Sequence, residues 1–180
     1  MAFAARTPTY NPWVSHQEHR ALAPHSVPCF VLTVSDTRTE QTDKSGQAIR
    51  SMLEDAGHTV VGHAIVADDP SAVTATIRAQ LAQPSTRAII TTGGTGITTR
   101  DGTFEAVDQL FDKRLDGFGE LFRMLSFEDI GPAAMLSRAT AGTVGRSVVF
   151  ILPGSEAAVR LALSRLILPE LGHIAQQLAK

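Results

Sequence analysis

The sequence is short of several things, and each shortage closes a route. It holds one cysteine, Cys29, among 180 residues. A lone thiol closes no intrachain disulfide, and such usage fits a reducing cytoplasm. Cys29 opens the apolar run Cys29-Phe30-Val31-Leu32; free cysteine packs as a small hydrophobe, so it reads as a buried strand residue. No stretch approaches the ~20 apolar residues that a membrane span needs. The segment after Met1 lacks the continuous apolar core of a secretory leader. The expectation is a cytoplasmic protein with no membrane partner. Basic charge is not in excess either, since the formal net charge is −2. That argues against a nucleic-acid partner, which needs a cationic face to neutralise phosphates. It leaves room for a small anion, which needs only local donors.

Hydrophobic residues make up 43% and charged residues 19%, an ordinary globular balance. The length suits one domain with its own core. Residues 1–27 stand apart: Pro8, Pro12, Pro24 and Asn11 interrupt them, with no sustained period. They read as an arm, with Tyr10 and Trp13 available to bury against a neighbour. His16, His19 and His25 lack cysteine or carboxylate partners at ligand spacing and read as solvated. The domain proper spans 28–180.

From Cys29 the pattern is regular. Cys29–Val34 is an apolar, β-branched run and predicts a buried strand. Asp43 or Ser45 caps a helix to about Ala56, with Ile49, Met52 and Leu53 on one face and Gly57 as its terminator. Thr59–Val66 predicts a second strand. Asp68-Asp69-Pro70 opens another helix, striped by Val73, Ile77 and Leu81. Arg87–Thr92 predicts a third strand, running into Gly93-Gly94-Thr95-Gly96. Thr103 is the expected cap of a helix through Phe104, Val107, Leu110 and Phe111. Glycines 117, 119 and 131 with Pro132 predict a loop and short helices over 116–138, and Ser137-Arg138 precede another strand-like segment. Ser147–Leu152 predicts a further strand, ended by Pro153-Gly154-Ser155. Glu156–Lys180 predicts one helix or two, with a boundary or kink at Pro169.

This order predicts an α/β fold: an open, mainly parallel sheet with helices on both faces, in three layers. In such sheets ligands collect at the carboxyl ends of the strands. That rule brings together Ser35-Asp36, Asp68, Gly93–Asp101 and Pro153-Gly154-Ser155. Three glycines in four positions bare the backbone, so a phosphate or the flat polar edge of a ligand can reach the main-chain N–H groups. Thr92 and Thr95 add hydroxyls; a tight turn needing positive φ is the structural alternative. No Gly-Lys-Ser/Thr follows the cluster, so it is not a Walker A loop, and it is not Gly-x-Gly-x-x-Gly, so a dinucleotide is not indicated. Asp101 beside a phosphate loop is repulsive unless a cation lies between, and Mg²⁺ accepts carboxylate and phosphate oxygens together. Asp101 and Asp68 also suit helix caps or turns. Asp36 suits an acceptor for backbone N–H groups, Arg38 or Lys44. Ser155 is a natural N-cap, and the free N–H groups there are equally an anion site.

Seven motifs in order carry a resemblance: Val34-Ser35-Asp36, Asp43-Lys44-Ser45-Gly46, Thr91-Thr92-Gly93-Gly94-Thr95-Gly96, Arg100-Asp101, Gly117-Phe118-Gly119-Glu120, Leu136-Ser137-Arg138 and Leu152-Pro153-Gly154-Ser155. Over roughly 28–180 the chain resembles the molybdenum cofactor biosynthesis protein B / molybdopterin adenylyltransferase family (MoaB/MogA), whose relatives include the gephyrin and plant G-domains. Its style, including Glu18-His19-Arg20 and Asp108–Phe122, is closer to the B-type branch. The resemblance implies a homo-oligomer, trimer or hexamer, and contact with other proteins of the pathway. It implies molybdopterin and ATP as substrates with Mg²⁺, adenylylation of the pterin's terminal phosphate, and functional aspartates at Asp68 and Asp101. Ser137 enters the candidate pterin site through its motif alone. A protein that holds or delivers the pterin without turnover is the alternative. Gly102-Thr103-Phe104-Glu105 departs from the family, where an apolar residue and Thr-Pro or Thr-Tyr are common.

Overall fold

The computed structural model describes residues 23–98 and 101–180. Tyr10, Trp13, His16, His19 and Arg100 therefore lie outside the described residues. The arm's end is inside them, and Val27 is already fully buried in the core.

Six strands form one sheet in the order β2-β1-β3-β6-β5-β4. β1 (Pro28–Val34), β2 (Thr59–Val66), β3 (Ala88–Thr92) and β6 (Ser147–Leu152) are mutually parallel. β5 (Thr140–Val144) and β4 (Lys113–Arg114) add an antiparallel edge. The period of two divides each inner strand between two cores. Cys29 and Val31 join Ile90 and Phe150 on one face; Phe30 and Leu32 join Ile89 and Ile151 on the other. α1 (Lys44–Asp55), α4 (Asp116–Ile130), α5 (Glu156–Ala162) and α6 (Leu168–Leu178) cover the first face. α2 (Pro70–Leu81) and α3 (Thr103–Asp108) cover the second. Three layers result, as the strand–helix alternation predicts. No helix among the described residues is long and apolar enough to cross a membrane.

Two local expectations are corrected and a third is met. Residues 116–130 are one helix, because Gly117 and Gly119 fall in its first turn, where few intrahelical bonds depend on them. A Cβ at Gly119 would lie 2.7 Å from the Ala139 carbonyl, so the glycine lets α4 settle on β5. Only residues 131–136 form a short 3₁₀ turn. Thr103 does not cap α3: Gly102 holds that position with no side-chain bond. The boundary expected at Pro169 is present, with the proline in the first turn of α6. The preceding residues Leu163–Ile167 loosen into a π turn before α6 resumes, which accommodates a residue with no N–H to give.

β1 sits between β2 and β3, so the chain leaves β1 and β3 toward opposite faces, to α1 and α3 respectively. In sheets of this kind the binding crevice lies there, at the carboxyl edge of the topological switch point.

Candidate functional site

Three strand ends are tied together at this crevice. Gly93 is the knot. Its N–H donates to the Leu152 carbonyl at 3.1 Å, and its φ is +99°. A Cβ there would stand 2.2 Å from the Val34 carbonyl oxygen, so only glycine fits between β1 and β6. Thr92 is buried and donates its hydroxyl to the Pro153 carbonyl at 2.9 Å. That hydroxyl, expected to face a ligand, instead fastens β3 to β6. The Gly154 carbonyl is gripped from the other side by Ser45 Oγ at 2.8 Å and Arg38 Nη2 at 3.3 Å. Ser45 is held in turn by the capped start of α1. The Asp43 carboxylate accepts from Gly46 N at 2.9 Å and Thr33 Oγ1 at 2.6 Å, with His63 Nε2 3.3 Å away.

The aspartates divide their labour. Asp69 takes the cap of α2, accepting from Ala72 N at 2.7 Å with Pro70 following. Asp68 is thereby released from capping, and its Oδ1 accepts from Thr103 Oγ1 at 2.9 Å. The Thr103 hydroxyl, predicted as a cap, serves a carboxylate across the crevice instead. Asp36 accepts from the Asp68 N–H at 3.1 Å and so binds the end of β1 to the end of β2. Asp101 closes its own turn, accepting from Thr98 N at 2.8 Å and Thr98 Oγ1 at 2.6 Å. Ser35 is spent similarly, accepting from the N–H groups of Thr37 and Arg38, both at 3.2 Å. Ser155 caps α5 through Ala158 N at 3.2 Å.

The glycine ribbon measures how close the two carboxylates come. A Cβ at Gly94 would lie 3.0 Å from Asp68 Oδ1, and one at Gly96 would lie 2.4 Å from Asp101 Oδ2. Asp68 and Asp101 thus flank one loop at positions two residues apart. Gly93 and Gly94 have positive φ, as a tight turn requires, but Gly96 does not; its lack of a side chain makes room for Asp101. Along the same ribbon the N–H groups of Gly94, Thr95, Gly96 and Ile97 donate to nothing among the described residues, and neither does the Thr95 hydroxyl. Beside the ribbon, Ser137, Pro153 and Ser155 line a cleft of about 130 Å³ with Phe122, Ser126 and Asp129.

Hard oxygen donors on both sides of a bare ribbon fit Mg²⁺, which takes one or two carboxylates and completes its shell with phosphate oxygens and water. No group of three metal-binding side chains gathers among the described residues, so a bound phosphate is needed to finish such a site.

Sequence reasoning missed Arg138. It reaches Thr95 O with Nε at 3.0 Å and Gly96 O with Nη2 at 2.6 Å. Nη1 pairs with Glu105, and the guanidinium lies 4.8 Å over the Phe104 ring. This hydrogen bond from Arg138 holds the Glu105 carboxyl below its ordinary pKa. The Leu136-Ser137-Arg138 motif marked the residue but not its reach across 43 positions.

Residues 30–173 match the family model described as a probable molybdopterin binding domain. Molybdenum cofactor biosynthesis protein B of Bacillus cereus is 54% identical over 166 residues, covering 92% of this chain and 98% of the relative. Its Bacillus subtilis counterpart is 51% identical over 168 residues, covering 93% and 99%. A crystal structure of a molybdenum cofactor biosynthesis protein B superposes with TM-score 0.85 at 55% identity, covering 87% of this chain and 98% of the other. The tungsten cofactor synthesizing protein MoaB of Pyrococcus furiosus gives 0.74 at 40% identity, covering 88% and 100%. Matched along most of its length by both sequence and shape, the chain belongs to the molybdopterin-binding MoaB/MogA family, on its protein B branch.

Proposed function

We propose that this chain works in molybdenum cofactor biosynthesis and adenylylates molybdopterin with MgATP at the carboxyl edge of its sheet. One observation carries the reading: two carboxylates, Asp68 and Asp101, flank a ribbon whose N–H groups have no acceptor among the described residues. Two phosphates must meet for this reaction, and they repel. Catalysis is therefore mainly alignment and charge neutralisation. The terminal phosphate oxygen of the pterin attacks the α-phosphorus of ATP; the bond to the β-phosphate oxygen breaks and pyrophosphate leaves. The ribbon's N–H groups take phosphate oxygens, and the Ser137–Pro153–Ser155 cleft takes part of the pterin. Asp68 and Asp101 would hold Mg²⁺, which when bound screens the phosphates from each other and from the carboxylates.

The test is an adenylylation assay with purified molybdopterin, MgATP and the native chain. Asp101→Ala is expected to abolish Mg²⁺-dependent ATP consumption while the chain stays folded. Unchanged turnover in that variant would remove the mechanism.

A second reading is a protein that holds or delivers the pterin without turnover. It is favoured by the prior commitment of Asp101 Oδ2 to Thr98. Calorimetry with MgATP, with and without pterin, separates the two: a carrier binds pterin and shows no nucleotide heat.

The proposed assembly is a homo-oligomer. Leu121, Met124 and Phe127 recur every third position on α4 and are exposed, with Met135 beyond them at 79% exposure. A contiguous apolar face of this kind marks a protein contact. Phe127→Glu is expected to shift sedimentation toward the monomer; an unchanged sedimentation coefficient would place the contact elsewhere.

A further inference from the structure

Arg138 stands behind the anion ribbon rather than in it, and its geometry has a consequence for the ribbon's donors. In a trans peptide the C=O and the next N–H point in opposite directions. The Thr95 carbonyl shares its peptide with the Gly96 N–H, and the Gly96 carbonyl shares its peptide with the Ile97 N–H. Arg138 pulls both carbonyls to one side, at 3.0 and 2.6 Å. The N–H groups of Gly96 and Ile97 must then face the other side together, as in an anion-binding nest. Neither finds an acceptor among the described residues. The side chain of Ile97 is 70% exposed, so the ribbon's tip is open.

We infer that Arg138 is a positioning residue that aims the Gly96 and Ile97 N–H groups at a phosphate of the ligand; this rests on the phosphate-binding reading above. Orientation outweighs direct attraction here. Glu105 pairs with the guanidinium and offsets its charge, so little net field reaches an anion beyond the ribbon. The residue type follows from the task. Two carbonyls, a carboxylate and an aromatic face are met at once by a planar fork with five N–H donors; a lysine ammonium has neither the plane nor the spread. Phe104 and Glu105 fix the fork from α3. The same helix supplies Thr103, which holds Asp68. Arg138 therefore locks the donor ribbon to the element that places the carboxylate.

The experiment titrates Mg²⁺-pyrophosphate into the full chain and its variants by calorimetry, well below each melting temperature. The native chain is expected to bind. Arg138→Ala is expected to lose at least about tenfold in affinity, with tens of millimolar guanidinium restoring part of it and urea restoring none. Arg138→Lys, which keeps the charge and one donor contact, is expected to fall between the two and guards against an Ala variant that does not fold. In ¹⁵N NMR the Gly96 and Ile97 amides should shift on titration in the native chain and shift less in Arg138→Lys. Native-like affinity in both variants overturns the positioning role and leaves the site standing. Failure of the native chain to bind pyrophosphate overturns the phosphate-binding reading and this role with it.

Discussion

The two edges of the sheet invite comparison because the roomier one is not the better site. At the amino edge a cavity of about 460 Å³ is lined largely by Pro24, Val27, Pro28, Pro84 and Ala175, with Arg87 at its side. The backbone there is already paired: Thr59 N donates to Val27 O at 3.2 Å, Arg87 N to Pro28 O at 3.0 Å and Val148 N to Arg87 O at 3.0 Å. At the carboxyl edge the cleft is smaller, about 130 Å³, but a run of N–H groups lacks acceptors among the described residues and two carboxylates flank it. Volume measures where a ligand fits; unspent donors measure where one is needed. An anion gains little from an apolar hollow and more from N–H groups that no acceptor among the described residues has taken.

Substitutions on the two edges should therefore differ most in turnover. Asp68→Asn keeps the shape and an acceptor for Thr103 but removes the charge. It is expected to lower MgATP turnover by about 10²–10³-fold, the scale on which preorganised electrostatic groups act, with little change in melting temperature. Gln176→Leu at the amino edge removes a buried Oε1 that has no partner among the described residues, and turnover should stay within about twofold of native because the change is remote from the site. Equal losses in the two variants, measured by steady-state ATP consumption, would break the comparison.

The glycines sharpen it within the carboxyl edge. Gly93→Ala meets backbone, at 2.2 Å from the Val34 oxygen, from a φ of +99°. It should lose roughly 1–3 kcal/mol from the backbone conformation alone, and more from the clash, in urea unfolding. Gly96→Ala has no such φ and meets the Asp101 carboxylate instead. A side chain can swing away, so stability should fall far less while turnover collapses as Asp101 is displaced. The reverse ranking would mean that Gly96, not Gly93, is the structural hinge.

How much of this was legible in the sequence depended on the range of the interaction. β2 and β6 are legible to the residue, and β1, α1 and β3 to within about a residue, because periodicity and caps are local: Asp43 and Gly57 bracket α1 as their types dictate. The gathering of Asp68, the glycine ribbon and Pro153 followed from topology and a resemblance, also without coordinates. What failed was assignment of side-chain duties. Thr92 and Thr103 are both hydroxyls next to a loop, and nothing local says that one fastens a strand end and the other serves Asp68. Glycine propensity alone breaks α4, while the packing of Gly119 against Ala139 keeps it whole. Arg138 was invisible in role because its partners lie far back along the chain.

The smallest expected effect separates the edges by pH. His58, at the amino edge, accepts the Val27 N–H on Nδ1 at 3.2 Å, and burial lowers its pKa. Protonation removes that acceptor. The unfolded chain protonates first, near pH ~6.5, so this contribution is complete above that pH and shrinks as the solution is acidified toward the lower folded value. Glu105, at the carboxyl edge, is also lowered, chiefly by its hydrogen bond from Arg138. Its contribution is complete above the unfolded value of about 4.3 and is lost as pH falls through the folded value. Both losses run toward acid but in separate windows. His58→Gln should flatten the upper one and Glu105→Gln the lower one in melting temperature against pH. Because Glu105 is mostly exposed, solvent screens its share. Its mark should be clearer in pyrophosphate affinity, through Arg138 and the ribbon, than in melting. A Glu105→Gln chain that binds pyrophosphate more tightly than native would show that Arg138 acts by charge, freed of its partner, and not by aiming the ribbon.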